Sequence, residues 1–193
     1  ITEESVIRNK ILTDEGDPYN EILFEKSLNN IKNLGIFANV SKTIVEDDED
    51  SKMINIIVEE QPSGSIMAGA GTGSSGFSTM LGIEEKNYLG KGIKLKANLE
   101  FTSDSVNFLL DTTNPNYKNS DRSLSYSFEN TKKDAMTKSG FKSNKSGFNI
   151  ATRYEQYEDI YFHPRLSLYY EDIDTNDDAS ASYKKQEGSY LEN

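Results

Sequence analysis

Cysteine is absent from this 193-residue chain, which excludes disulfides, zinc–thiolate sites and thiol nucleophiles. Histidine occurs once, at position 163, so a metal site built from several histidines is excluded too. Long hydrophobic runs are also missing: mean hydropathy is −0.68, and no apolar segment approaches the roughly 20 residues of a membrane-spanning helix. The formal net charge of −11 argues against binding to nucleic acid, whose phosphates attract a basic face.

The first 61 residues show helical periodicity followed by alternation. We expect a first helix that is capped by Thr2, buries Ile7 and Ile11 and ends near Gly16. A second helix is predicted over 21–34 and ends at Gly35, and its buried stripe is Phe24, Leu28 and Ile31.

Two short strands follow these helices. The inward-facing residues of the first are Ile36, Ala38, Val40 and Ile44, and those of the second are Ile54, Ile56 and Val58. An acidic run, 46–50, is expected at the hairpin tip between them. The order of helix, helix, strand, strand predicts a small α+β module whose first strand is missing.

From residue 62 the period changes to 2. In 93–101 the odd positions are apolar and the even ones polar, and the same alternation recurs in 106–110, 123–129, 148–154 and 165–171. The strands are about ten residues long, with tight turns (103–104, 114–121) alternating with longer polar loops (130–145, 172–182). Long strands with one apolar face and alternating link lengths indicate a transmembrane β-barrel. A soluble β-sandwich has the same period but usually shorter strands, and it remains the alternative.

Aromatic residues recur near the predicted strand ends. Such positions are typical of the girdles at the two membrane interfaces of a barrel. The residues are Tyr88, Phe101, Tyr117, Tyr154, Tyr157, Tyr161 and Phe162.

The glycines at 71, 73 and 76 have the G-x-G-x-x-G spacing of a dinucleotide-binding turn. That motif requires a following helix, whose N-terminus holds the pyrophosphate. Residues 77–84 alternate instead, which predicts a strand–turn–strand hairpin. Gly69, Gly71 and Gly73 share one strand face, which fits either a weakly paired strand or a strand thinned to admit neighbouring side chains.

Other candidate sites have simpler interpretations. The run 46–50 lacks the ligand spacing of a calcium loop, and a solvated tip is expected. A second acidic cluster, on the predicted loop after 171, could bind calcium or bridge to lipopolysaccharide through cations; it comprises Asp172, Asp174, Asp177 and Asp178. His163 is expected in a turn before Pro164, and no serine lies in a nucleophile elbow. We therefore predict that the chain is not an enzyme and that it uses no cofactor or metal.

Several segments resemble the BamA family of outer-membrane β-barrel assembly proteins. Residues 15–40 (EGDPYNEILFEKSLNNIKNLGIFANV) resemble the two-helix segment of a POTRA domain, and 59–64 (EEQPSG) resemble its link to the barrel. The segment KNYLGKG at 86–92 resembles the tight turn after the second barrel strand, while 113–117 and 186–190 resemble later family motifs. This resemblance extends over essentially the whole chain.

The resemblance implies a POTRA domain over 1–61, truncated at its N-terminus, followed over 62–193 by about eight antiparallel strands of a sixteen-stranded barrel. Earlier POTRA domains and the second barrel half, with the family's VRGF loop, are not in the sequence. The chain, which also begins without methionine, is therefore expected to be partial.

The resemblance also implies two sets of functional residues. In the family, the first barrel strand forms a weak lateral seam that pairs with strands of the client protein. Here that strand would consist of Ser65, Ile66, Met67, Ala68, Gly69, Ala70, Gly71 and Thr72. The family turn would consist of Asn87, Tyr88, Leu89, Gly90, Lys91 and Gly92.

The implied function is the folding and insertion of β-barrel proteins into the bacterial outer membrane, with the POTRA domain in the periplasm. Implied partners are unfolded outer-membrane proteins, assembly lipoproteins and outer-membrane lipids. A related POTRA-barrel transporter, for two-partner secretion or autotransporter assembly, and a soluble β-sandwich binding module are the alternatives.

Overall fold

The computed structural model describes residues 1–48, 51–73 and 76–192. Its N-terminal module, 1–61, has the predicted order of two helices and two strands. The elements are α1 (Glu4–Arg8), α2 (Glu21–Lys32), β1 (Phe37–Asp48) and β2 (Ser51–Glu60). The helix α2 begins after Asn20, whose side-chain oxygen accepts hydrogen bonds from the backbone N–H groups of Ile22 and Leu23.

The core of the module lies between α2 and the β1–β2 hairpin. The predicted stripe on α2 is buried, and the predicted inward face of β2 packs against it. The buried core residues are Val6, Phe24, Leu28, Ile31, Ile36, Phe37 and Val40.

Four predictions for the module are wrong, and one of them is the inward position of Ile44, which is 37% exposed. The first helix is shorter than expected and ends at Arg8, and Thr2 does not cap it, because Glu3 holds the cap position without a side-chain hydrogen bond. Ala38 is exposed, since a register shift between Phe37 and Asn39 turns Phe37 into the core instead. The predicted acidic tip includes residues 49 and 50, which lie outside the described part of the chain.

The rest of the chain forms one antiparallel sheet. Its strands pair in the order β3-β4-β5-β6-β7-β8-β10-β11, and the short β9 folds back on β8. The strands are β3 (Gly64–Gly73), β4 (Gly76–Tyr88), β5 (Ile93–Thr102), β6 (Ser105–Asn114), β7 (Ser123–Ala135), β8 (Phe141–Tyr157), β9 (Ile160–Phe162), β10 (Arg165–Thr175) and β11 (Gly188–Glu192). Two short helices, α3 (Met136–Ser139) and α4 (Ala181–Lys185), lie in the connections.

One face of the sheet, the belt face, carries apolar side chains in register across the strands. A single cross-strand row consists of Ile66, Ile83, Ala97, Leu110, Phe128, Phe148 and Leu168. Ile66 is 84% exposed and Phe148 47% exposed. Among the described residues no second sheet covers this face, whereas a sandwich would bury it. The belt face is the surface that a transmembrane barrel presents to lipid.

The longer polar loops that the sequence predicts are partly strand. β7 continues to Ala135 and β8 begins at Phe141, so that only 136–140 connect them. β10 continues to Thr175, which places Asp172 and Asp174 in a strand and not in a loop. The alternation of apolar and polar residues stops in these segments, but the backbone hydrogen bonds between the strands continue through them.

The sheet has two ends that differ in their surroundings. The near end is formed by the turns at 89–92 and 115–122 and by the segment 158–164, and the two turns contact the N-terminal module. The far end is formed by the connections 103–104, 136–140 and 176–187. β3 also ends there, at Gly73, and β4 begins there, at Gly76. β4 pairs antiparallel with β3 up to Gly73 and Gly76, which confirms the predicted hairpin, although Ser74 and Ser75 lie outside the described residues.

Candidate functional site

The strand β3 forms one lateral edge of the sheet. It pairs with β4 over its whole length, from Gly64 opposite Glu85 to Gly73 opposite Gly76. Within the described residues β4 is its only partner, so the backbone N–H and C=O groups of alternate residues point outward from the sheet. The predicted client-pairing residues, 65–72, all lie on this edge, and of these only Met67 is half-buried.

The glycines at positions 69, 71 and 73 of β3 are not required by crowding in this structure. A β-carbon added at Gly69 or Gly73 would meet no atom within 4 Å, and one at Gly71 would touch only the Ser78 hydroxyl, at 3.8 Å. The interpretation of a strand thinned to admit neighbouring side chains therefore has no support among the described contacts. The glycines instead change β3 itself. Because they have no side chains, β3 packs weakly against a neighbouring strand, and its backbone is easily approached.

An open edge of ten residues is costly inside a membrane. Each backbone polar group left without a partner in hydrocarbon costs several kcal/mol. The β3 edge therefore requires another strand beside it whenever the belt face is in lipid, and the backbone supplies the hydrogen bonds whatever the side chains of that strand are.

The second predicted site, the turn at 87–92, has a fixed backbone conformation. Leu89, Gly90 and Gly92 have positive φ angles of 57°, 76° and 64°. The side chain of Asn87 closes the turn, since its Oδ1 accepts a hydrogen bond from the Gly92 N–H at 2.7 Å. The two glycines suit this geometry because they lack the β-carbon that opposes positive φ.

The structure brings this turn against the N-terminal module. The Gly90 carbonyl accepts a hydrogen bond from the Glu3 N–H at 2.7 Å, and the Asn87 amide donates to the Thr2 hydroxyl at 2.8 Å. A β-carbon on Gly90 would lie 2.2 Å from the Ile1 carbonyl oxygen. The turn is therefore a docking surface for the first residues of the module as well as a link between strands.

One further contact fixes the module at the near end, and a second closes the module on itself. The Lys10 ammonium donates to the Asn116 side-chain oxygen at 2.9 Å, and burial lowers the pKa of Lys10. Within the module, the Glu60 carboxyl accepts a hydrogen bond from the Thr2 backbone N–H, and hydrogen bonding to Thr2 lowers the pKa of this carboxyl.

Sequence reasoning found the turn but missed its partners. Thr2 was expected to cap a helix, and Lys10 and Asn116 carried no signal, because the two are 106 residues apart and polar residues in turns are common. The only available signal was the pair of glycines at 90 and 92, which indicates a close backbone approach without identifying what approaches.

No helix in the described ranges is long and apolar enough to cross a membrane. Across the same ranges, no three metal-ligating side chains of His, Cys, Asp or Glu lie close enough to hold an ion.

Two family models match the chain. "POTRA: Surface antigen variable number repeat" matches residues 1–61, and "Omp85 superfamily domain" matches residues 87–193, more than half of the chain. The predicted fold class and the predicted resemblance are confirmed by these matches. The exact boundary at 61/62 stays a prediction.

Similar proteins support the same assignment. Outer membrane protein assembly factor BamA from Neorickettsia risticii is 26% identical over 98% of this chain, and BamA from Buchnera aphidicola is 31% identical over 75% of it. The crystal structure of BamA from Haemophilus ducreyi lacking POTRA domains 1-3 has the same fold, with a TM-score of 0.81 over 99% of this chain at 21% identity.

The chain spans about a quarter of the length of these curated relatives, 26% and 25% respectively, and 40% of the solved H. ducreyi chain. The predicted outer-membrane location is confirmed by the family and by the relatives. From the match over 87–193, together with the belt face and the order of the strands, we conclude that the chain belongs to the Omp85 superfamily.

Proposed function

We propose that this chain is part of an outer-membrane protein assembly factor, and that β3 pairs with a strand of the client protein during insertion. The observation that carries the proposal is the β3 edge: ten residues long, paired on one side among the described residues, and made largely of small side chains. The names of the relatives support the same function.

Pairing through the backbone accounts for the broad range of clients that such a factor needs. An incoming strand gains hydrogen bonds from β3 without matching its side chains, because those bonds are made by main-chain groups alone. Each bond contributes a net of roughly 1 kcal/mol in water, and more in lipid, where the unpaired alternative is costly. A strand held in this way is retained while its barrel forms and is then exchanged for a better-packed partner.

The docked N-terminal module gives the proposal a direction of delivery. Thr2, Glu3 and Lys10 fix the module against the near-end turns, close to the point where β3 begins at Gly64. A client carried by the module would therefore reach the near end of the β3 edge first.

We further propose that this process uses no catalytic side chain, cofactor or metal. Strand pairing and burial of apolar faces in lipid supply the free energy. Client proteins, accessory lipoproteins and outer-membrane lipids are the partners that this function predicts.

Site-specific crosslinking tests the proposal, and this chain contributes no native cysteine that would compete with the introduced ones. Single cysteines replace Met67, Ala68 and Ala70 in the protein that carries this chain, and a second cysteine is scanned along the terminal strand of a stalled client. We expect disulfides at all three positions. When the cysteine on β3 is moved by one position, the client position that gives the highest crosslinking yield should also move by one. The reason is that directly opposite residues have Cβ atoms about 5 Å apart.

Ala97 is the matched control. It is also an alanine of the belt face, in the same cross-strand row as Ile66, but it lies on β5, which is paired on both sides. Ala97→Cys should not crosslink to the client. Crosslinks of equal yield from Ala97 and Ala68, or none from any of the three β3 positions, would refute pairing at β3.

A related transporter remains the alternative function. It predicts passage of a substrate through the barrel, and thus crosslinks to side chains of the polar face and not to β3. No observation on the described residues favours it.

A further inference from the structure

A polar groove at the far end of the sheet has no role in the proposed client pairing. Its volume is about 440 Å³, and its lining includes the β5–β6 turn together with the outer parts of β7, β8 and β10. We infer that this groove binds the headgroup of a phosphorylated glycolipid in the outer leaflet. The inference rests on the outer-membrane location of the barrel and not on the client-pairing function of β3.

The register of the sheet places the groove beyond the apolar belt, with one row between them that is polar on β7 and β8 (Asn130, Ser146). The row Val106, Lys132, Asn144, Asp172 lies on the belt face, and each residue is opposite the next on the neighbouring strand. On β10, for example, Asp172 follows Leu168 and Tyr170 on the same face, at steps of two residues. A lipid whose chains lie on the belt therefore has its headgroup at the level of this row.

The next row farther out is also charged. Asp134 is opposite Lys142, and Lys142 is opposite Asp174. The Lys142 ammonium lies 3.3 Å from the Asp134 carboxylate, so these two charges largely satisfy each other. Asp174 is exposed and has no ion-pair partner among the described residues.

Lys132 is the cation that remains available in the groove. It is exposed, and within the described ranges no carboxylate lies within ion-pair distance of its ammonium. Its neighbour Lys133 points to the other face, where its ammonium lies 5.3 Å from the centre of the Phe141 ring. A membrane-facing ammonium without a partner is a site for a phosphate group.

The carboxylates of the groove indicate what else the ligand must offer. Asp172 and Asp174 lie on β10, two strands from Lys132 on β7, a separation of about 10 Å at the usual strand spacing. A purely anionic headgroup would be repelled by them. A sugar that carries a phosphate satisfies both the ammonium and the carboxylates. Its phosphate reaches Lys132, while its hydroxyl groups donate hydrogen bonds to Asp172 and Asp174.

Lipid retention tests the inference. The protein that carries this chain is placed in nanodiscs of phosphatidylethanolamine that contain either lipid A or lipid A without its phosphates, and native mass spectrometry measures the lipid that stays bound. We expect lipid A to be retained in preference to the dephosphorylated form. Lys132→Gln should reduce its retention about tenfold, the lower end for loss of a charge-assisted hydrogen bond. Asp174→Asn should reduce retention of both forms.

Lys185→Gln is the matched control, because Lys185 is also exposed and at the far end but lies on α4, outside the groove. Equal retention by the Lys132 and Lys185 variants, or of the two lipids by the unaltered protein, would overturn the inference. Inorganic phosphate is the third arm: binding of free phosphate by the unaltered protein without retention of lipid A would assign the groove to an anion and refute the glycolipid. Because the β3 crosslinks are read separately, failure of either experiment leaves the other interpretable.

Discussion

The substitution Gly90→Ala tests whether the turn at 87–92 holds the N-terminal module in place. The added β-carbon would lie 2.2 Å from the Ile1 carbonyl oxygen, whereas ordinary contact begins near 3.4 Å. Ile1 must therefore move by more than 1 Å. Because Thr2 and Glu3 follow directly, we expect the hydrogen bonds from Asn87 to Thr2 and from Glu3 to Gly90 to break.

The size of the effect follows from those two bonds. Each contributes a net of about 1 kcal/mol, so the docked state should lose about 2 kcal/mol, which changes the docking equilibrium roughly 30-fold. Alanine at a positive φ adds about 1–2 kcal/mol of strain in the turn itself. This strain has to be separated from the loss of contact.

Gly16→Ala provides the separation. Gly16 also has a positive φ, 95°, but a β-carbon there would meet nothing within 4 Å. It therefore reports the strain of alanine without any loss of contact. Amide hydrogen exchange of Glu3, whose N–H donates to the turn, is the assay, and protection should fall about 30-fold in the Gly90 variant but change little in the Gly16 variant.

One result would refute the docking interpretation. If Glu3 exchanges at the same rate in both variants and in the unaltered protein, the contact seen between turn and module does not hold the module in solution. If both variants exchange equally fast, a general loss of stability in the module and not the contact at Gly90 is responsible.

Two further predictions concern packing and pH. In Gly147→Ala the new β-carbon would lie 2.4 Å from the Tyr169 ring, so the free energy of unfolding in urea should fall by about 1–3 kcal/mol. In Gly71→Ala the nearest atom would lie at 3.8 Å, and the free energy of unfolding should hardly change. Equal losses in the two variants would contradict this prediction. A hydrogen bond from Lys42 lowers the pKa of Glu21 below its ordinary 4.5. The contribution of Glu21 to the stability of the module is therefore complete above pH 4.5 and is lost as the pH falls through the lowered pKa. Amide protection of α2 should therefore decline with acid, and Glu21→Gln should flatten that decline; an unchanged acid profile in the variant would exclude this ion pair as the cause.

Much of the fold could be predicted from periodicity. The stripe of Phe24, Leu28 and Ile31 and the alternation from Ile93 to Phe101 determine which face of each element is apolar, since these patterns follow directly from 3.6 and 2.0 residues per turn. Helix caps were less predictable. Thr2 and Asn20 are both suitable cap residues, but only Asn20 caps a helix, because Glu3 holds the cap position of α1 and the Thr2 hydroxyl accepts a hydrogen bond from Asn87.

The outer parts of β7, β8 and β10 could not be recognised as strands. Polar residues on both faces look like loop, but the hydrogen bonds of a neighbouring strand stabilise extended backbone whatever its side chains are. The groove that contains Lys132 depends on this extension. The groove also depends on the register of the strands. The register places Lys132 opposite Asn144, 12 positions away in sequence, and Asn144 opposite Asp172, 28 positions away.

The sequence by itself determined the two-part organisation, the alternating faces and the glycine-rich character of β3, because each depends on local composition and spacing. Tertiary structure decided which strand lies at the edge, what the turn at Gly90 contacts, and which charges remain unpaired. Those properties depend on contacts between residues far apart in the chain, and no local pattern records them.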